Sequence, residues 1–81
     1  MKQKVLLFAR ARDLAGADQI EIEIADGARI GEVRSELLNR FSGLQSLAGS
    51  LLIAMNNCYA SDETIVETGA EIACFPPVSG G

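Results

Sequence analysis

Two apolar periodicities run along this chain. Gln19-Ile20-Glu21-Ile22-Glu23-Ile24 alternates without a fault, so three isoleucines share one face and Gln19, Glu21 and Glu23 the other. That is the pattern of a half-exposed strand near a sheet edge, and Asp26-Gly27 closes it with a turn. Over residues 30–41 the spacing changes: Ile30, Val33, Leu37 and Phe41 recur every three or four positions, with Glu32, Arg34, Glu36 and Arg40 on other faces. This predicts the main helix. Its start is weakly marked, because Arg29 is not a capping residue and only Asp26 or Glu32 is placed to favour the positive helix end. Gly43 is the expected stop.

Residues 4–9, Lys-Val-Leu-Leu-Phe-Ala, are apolar on both alternating sets, as in a central strand buried on two faces. Residues 10–16 mix charges with small side chains and end in Gly16, predicting a short helical turn or a loop. Residues 44–50 read as a connector anchored by Leu44 and Leu47. Residues 51–55 form a third strand, Asn56-Asn57 a tight turn that tolerates positive φ, and residues 58–60 a short fourth strand. A polar loop follows, with Ile65 and Val66 tucked under the sheet. Residues 71–75 make the last strand, which Pro76 stops because proline cannot donate to the ladder.

This order of elements fits a single α+β domain, residues 1–81, with one helix laid across a mixed sheet and the first strand beside the last. Parity then puts Ile72 and Cys74 on one face and Ala73 and Phe75 on the other. If the first pair faces the helix, two readings of Phe75 remain: an exposed aromatic marking a partner surface, or the cover of a second small core.

The stretch Phe75-Pro76-Pro77-Val78-Ser79-Gly80-Gly81 breaks every periodicity. Two prolines stiffen its stem, and two glycines without Cβ atoms let its tip lie in a tunnel too narrow for other residues. A stiff stem with a thin tip loses little conformational entropy on entering a partner's pocket.

Composition narrows the chemistry. At 48% hydrophobic and 22% charged residues the chain is an ordinary globule, and its formal charge of −4 without a basic patch disfavours nucleic acid and anionic membranes. With no histidine and only Cys58 and Cys74, a zinc site or an iron–sulfur cluster held by four thiolates has too few ligands. Both thiols are expected to be buried and inert, a disulfide being the alternative. No apolar run is long enough for a signal peptide or a membrane span, and a cytoplasmic protein is expected. Asp62, Glu63, Glu67 and Glu71 are either an acidic rim for an electropositive partner or a solvated loop.

The Leu7-Phe8-Ala9 strand end followed by Arg12, the Asn56 turn, the Gly69-Ala70-Glu71 lead-in and the 75–81 tail together resemble the small subunit of molybdopterin synthase. The resemblance implies a ubiquitin-like β-grasp fold of four to five strands and a flexible tail, residues 76–81. It implies a sulfur carrier in molybdenum cofactor biosynthesis whose Gly81 carboxylate becomes a thiocarboxylate. Pro76, Pro77, Val78, Ser79 and Gly80 would form the tail inserted in a partner, and Phe8, Tyr59 and Phe75 match partner-binding positions. The implied partners are the synthase large subunit, in a heterotetramer, an ATP-dependent activating enzyme that adenylates Gly81, and a persulfide donor. No cofactor is expected to stay bound, and the carrier is not catalytic alone. The product would be the molybdopterin dithiolene, built on cyclic pyranopterin monophosphate. Against the family's usual pattern, Ala70 replaces an aspartate and Cys74 stands where another apolar, often aromatic, residue is usual. Carriers of other pathways, such as thiamin synthesis, protein modifiers, and a β-grasp binding module with an incidental tail are the alternatives.

Overall fold

The computed structural model describes residues 1–47 and 49–76. The chain runs β1 (Lys2–Leu7), α1 (Ala9–Ala15), β2 (Gln19–Glu23), α2 (Ile30–Arg40), a 3-10 helix (Ser42–Leu47), β3 (Leu52–Met55), β4 (Cys58–Tyr59) and β5 (Ile72–Phe75). The five strands form one mixed sheet in the order β2-β1-β5-β3-β4. β1 and β5 are its central pair and run parallel, with Val5 opposite Ile72 and Leu7 opposite Cys74. The other pairings are antiparallel. First strand beside last, as the apolarity of β1 predicts, places the start of the tail in the middle of the sheet.

Helix α2 covers one sheet face only. Its Ile30, Val33 and Leu37 are completely buried against Val5, Leu7, Ile22, Ile53, Ile72 and Cys74, all at 2% exposure or less. Each such aliphatic side chain contributes roughly 1.5–3 kcal/mol of transfer free energy. β1 is therefore not buried on two faces as its sequence suggests. Val5 and Leu7 enter the core while Lys4 is exposed and Leu6 half-buried on the uncovered face, because among the described residues no second layer packs there. On that face Lys4 and Lys2 stand opposite Glu21 and Glu23 of edge strand β2, a favourable cross-strand charge pattern.

The helix ends differ from expectation. Arg29 occupies the N-cap position, but its side chain caps nothing; instead Glu32 accepts its backbone N–H at 3.1 Å. The next two N–H groups, of Ile30 and Gly31, donate to the carbonyls of Thr64 and Asp62, so the 61–66 loop completes the helix start. The loop is pinned by Arg34, which bonds Asp62 at 3.0 Å and the Leu51 carbonyl at 2.7 Å. Gly43 does not stop α2, which ends at Arg40 with extended Phe41 as its cap. Gly43 instead sits where a Cβ would lie 2.9 Å from the Leu14 carbonyl, allowing the 3-10 helix to approach α1. Leu44 and Leu47 anchor that segment as expected, one buried and one half-buried.

Two further corrections concern burial. Ile65 is 52% exposed while Val66 is buried, since the backbone bridge to Arg29 turns alternate side chains in and out. Cys58 is exposed, because two-residue β4 lies at the sheet edge beyond the reach of α2, whereas Cys74 is buried; both are free thiols. Among the described residues, no helix is long and apolar enough to cross a membrane.

Candidate functional site

Strand β5 is held on both sides, by β1 and β3, and Pro76 follows it half-buried. Its start is fixed by Asn56, which with Asn57 forms the predicted turn, φ being 53° and 70°. A two-residue hairpin with both central φ values positive matches the sheet's twist. The Asn56 backbone N–H donates to the Glu71 carbonyl at 2.8 Å and its side-chain oxygen accepts the Glu71 N–H at 2.9 Å. Buried Gln3 donates its amide to the Ala70 carbonyl at 2.9 Å. These bonds hold the lead-in to β5 in place although Ala70 has no side-chain acceptor to offer. Ala70 is itself buried, where an ionised side chain would be costly.

Parity along β5 is as predicted: Ile72 and Cys74 point into the core, Ala73 and Phe75 to the uncovered face. Burial pushes the Cys74 thiol up from 9.0 to about 11, with Arg34 opposing weakly, so it stays protonated and inert. Phe75 is half-buried rather than exposed, and the cause is aromatic. The Phe8 ring stacks on it at 5.0 Å and 9°, and Tyr59 meets it edge-on at 6.4 Å and 79°. Both are favoured arrangements.

Local backbone puts Phe8 there. Its N–H donates to the Cys74 carbonyl at 3.2 Å, extending the β1–β5 ladder past Leu7. The chain then turns through Ala9 at φ 52°, a left-handed conformation that costs a non-glycine residue about 1 kcal/mol or more. The Phe8 carbonyl starts α1 by accepting from Ala11 and Arg12. The strained turn sends α1 away and leaves the Phe8 ring over Phe75.

Phe8, Tyr59 and Phe75, distant in sequence, thus gather at the root of the tail, three of the chain's four aromatic residues. Phe8 and Tyr59 remain 42% and 71% exposed. Exposed aromatics clustered on an open sheet face favour a partner surface over a second core. Pro77, Val78, Ser79, Gly80 and Gly81 lie outside the described residues. Arg12 is exposed on α1, 3.9 Å from Asp13, a surface contact of little energetic weight. The acidic residues divide: Asp62 is engaged by Arg34 behind the sheet, while Glu71 lies on the aromatic face. There Glu71 joins Ala54, Asn57 and Ala73 in lining a hollow beside Tyr59 and Phe75. Periodicity carries no signal for two alanines on separate strands. Among the described residues, no group of three or more Asp, Glu, Cys or His side chains is arranged to hold a metal.

The ThiS family model matches residues 5–81 of the chain. The molybdopterin synthase sulfur carrier subunit of Haemophilus influenzae is 42% identical, over 95% of this chain and 96% of the relative. That of Arabidopsis thaliana is 37% identical, over 96% of this chain and 81% of the relative. Among solved structures, SAMP1 from Haloferax volcanii superposes over the whole of both chains with a TM-score of 0.86 at 24% identity, which bears on the fold alone. A chain from the complex of subunits 1 and 2 of the molybdopterin-converting factor of Helicobacter pylori superposes over the whole of both chains, with a TM-score of 0.69 and 27% identity. By sequence and by its β-grasp architecture, the chain belongs to the ThiS family, with molybdopterin synthase sulfur carrier subunits among its relatives.

Proposed function

We propose that this chain is the sulfur carrier subunit of a molybdopterin synthase, and that its working group is the terminal carboxylate of Gly81. The observation that carries the reading is the placement of β5: a central strand, paired on both sides, ends at Pro76 beside an exposed aromatic cluster. The body docks through Phe8, Tyr59 and Phe75, and the tail reaches onward. Residues 78–81 extend at most about 13 Å at roughly 3.3 Å each, enough to enter a buried site from a docked body. The kinship with the carrier subunits, and the two-subunit Helicobacter complex, support a larger synthase subunit as the docking partner.

A carboxylate is a poor electrophile, so the carrier depends on an activating enzyme. One carboxylate oxygen of Gly81 attacks the α-phosphorus of ATP, pyrophosphate leaves, and the acyl adenylate forms. The outer sulfur of a persulfide donor then displaces AMP to form an acyl disulfide, and a second thiol of the donor attacks the donor's own sulfur, releasing the thiocarboxylate and leaving the donor as a disulfide. In the synthase this sulfur passes to cyclic pyranopterin monophosphate, and two such transfers complete one dithiolene. The chain contributes positioning and a narrow, pre-stiffened tail; bases and nucleophiles come from its partners.

Mass spectrometry after incubation with activating enzyme, ATP and a persulfide donor tests this. One sulfur gained for one oxygen at Gly81, and sulfur transferred to the pterin once the large subunit is added, is the expected result. A thiocarboxylate that the large subunit cannot use would assign the carrier to another pathway, and no sulfur at all would refute the carrier chemistry.

A further inference from the structure

The uncovered sheet face carries a feature that the tail chemistry leaves unused. Beside the aromatic cluster it sinks into a hollow of about 220 Å³, lined by Ala54, Asn57, Tyr59, Glu71, Ala73 and Phe75. Ala54 and Ala73 are direct cross-strand partners on β3 and β5 and offer only methyl groups, so they form a low floor. Tyr59, the partner of Ala54 on β4, and Phe75, two residues beyond Ala73, stand as walls. Glu71 also borders the hollow, and on its other side lines a recess with Lys2 and Lys4. Its backbone is clamped by Asn56 through both N–H and C=O, and among the described residues it belongs to no ion pair.

An apolar floor, aromatic walls and an unpaired carboxylate are complementary to one long side chain with an aliphatic stem and a cationic head. The geometry points to a socket for a single arginine of the subunit that receives the tail, an inference that rests on the carrier reading above. A guanidinium can stack on a ring and fork onto a carboxylate at once, which a lysine ammonium cannot. An aliphatic or acidic side chain would leave Glu71 desolvated or repelled. The hollow has room for about seven waters at roughly 30 Å³ each, which one such side chain would displace. The socket adjoins the aromatic patch, and the chain's charge of −4 favours a basic counterpart. It would fix how the body sits on its partner and reject surfaces lacking the arginine.

Two measurements test the socket. In the first, NMR follows the labelled chain alone during titration with N-acetyl-arginine methylamide and, separately, with its norleucine and glutamate analogues. The arginine probe is expected to shift the Ala54 and Ala73 methyl signals and the Tyr59 ring, and Glu71→Gln and Ala73→Leu to abolish the response. No shift at these residues, or equal shifts from norleucine, overturns the inference. In the second, calorimetry measures binding of the full chain to the synthase large subunit. Glu71→Gln should weaken it about tenfold and reduce its salt dependence, Ala73→Leu should weaken it similarly, and both variants should keep their melting temperatures. Unchanged affinities for both also overturn it. A wild-type chain that fails to bind the large subunit refutes the carrier reading instead, and the first measurement still decides whether the hollow accepts arginine.

Discussion

Truncating Phe75 to alanine removes a ring that stacks on Phe8 at 5.0 Å and meets Tyr59 edge-on at 6.4 Å. A fully buried Phe→Ala change costs about 3–5 kcal/mol, part of it for the cavity left behind. Phe75 is half-buried on an uncovered face, so water refills the space and a transfer cost of about 1.5 kcal/mol remains. Loss of the aromatic geometry adds roughly 0.5–1.5 kcal/mol. The sum, about 2–3 kcal/mol, lowers the melting temperature by roughly 10–20 °C for a domain of this size. Phe8→Ala, at a more exposed ring, costs about 1 kcal/mol less. The decisive measurement is the double-mutant cycle, read by urea unfolding of the two single variants and the double variant. Because the rings contact each other, the double variant should lose roughly 0.5–1.5 kcal/mol less than the sum of the singles. Additivity within about 0.3 kcal/mol would refute the stacked cluster, and with it the explanation for Phe75 being half-buried. Calorimetry against the large subunit completes the test: as a central aromatic anchor, Phe75→Ala should weaken binding by about 2 kcal/mol, or thirtyfold. Intact affinity with the full stability loss would place Phe75 in the fold's service alone.

Four further outcomes can be measured. Iodoacetamide at pH 8 should alkylate exposed Cys58 within minutes and leave Cys74 unmodified until the chain is unfolded, as mass spectrometry of the Cys58→Ser variant would show. The Cys74 thiol is also linked to stability: its folded pKa lies above its unfolded one, so its contribution is intact below about pH 9 and declines as pH rises to about 11; unfolding curves of Cys74→Val should lack that part of the slope. Gly43→Ala should destabilise by about 1–3 kcal/mol because its Cβ meets the Leu14 backbone at 2.9 Å, whereas Gly49→Ala, with nothing within 4 Å, should be near neutral in the same denaturation assay. Gly81→Ala, or one residue added after Gly81, should abolish sulfur transfer in a single-turnover assay while leaving thermal unfolding unchanged; normal turnover would dispose of the narrow-tunnel argument.

Elements whose signal is local were legible in the sequence. β2 and α2 announce themselves by uninterrupted periods of two and of three to four, and Pro76 marks the end of β5 because its missing N–H acts at one residue. The Asn56-Asn57 turn is likewise local, since both residues tolerate the positive φ it requires. Helix α1 was only half legible: seven residues are too few to be stable alone, and a left-handed Ala9 at their start is tolerated because the β1–β5 ladder holds Phe8 in place. The end of α2 was misplaced because Gly43 answers to a close approach by α1, not to helix termination. Of the candidate site, Phe8, Tyr59 and Phe75 came from resemblance and, for Phe75, from parity. That they touch depends on three strand pairings no single segment contains.

By itself the sequence determined the kinds of elements, the absence of histidine, and a tail thin and stiff enough to enter a tunnel, because these are properties of residue type and short-range spacing. Only the tertiary structure decided that α2 covers one side of the sheet, that Cys58 is exposed while Cys74 is buried, and that the aromatic cluster and the adjoining alanine-floored hollow lie together on the opposite face around β5. The physical reason is register. Which residues become neighbours across β1, β5, β3 and β4 is set by hydrogen bonding between segments up to some seventy residues apart, and by which sheet face α2 buries.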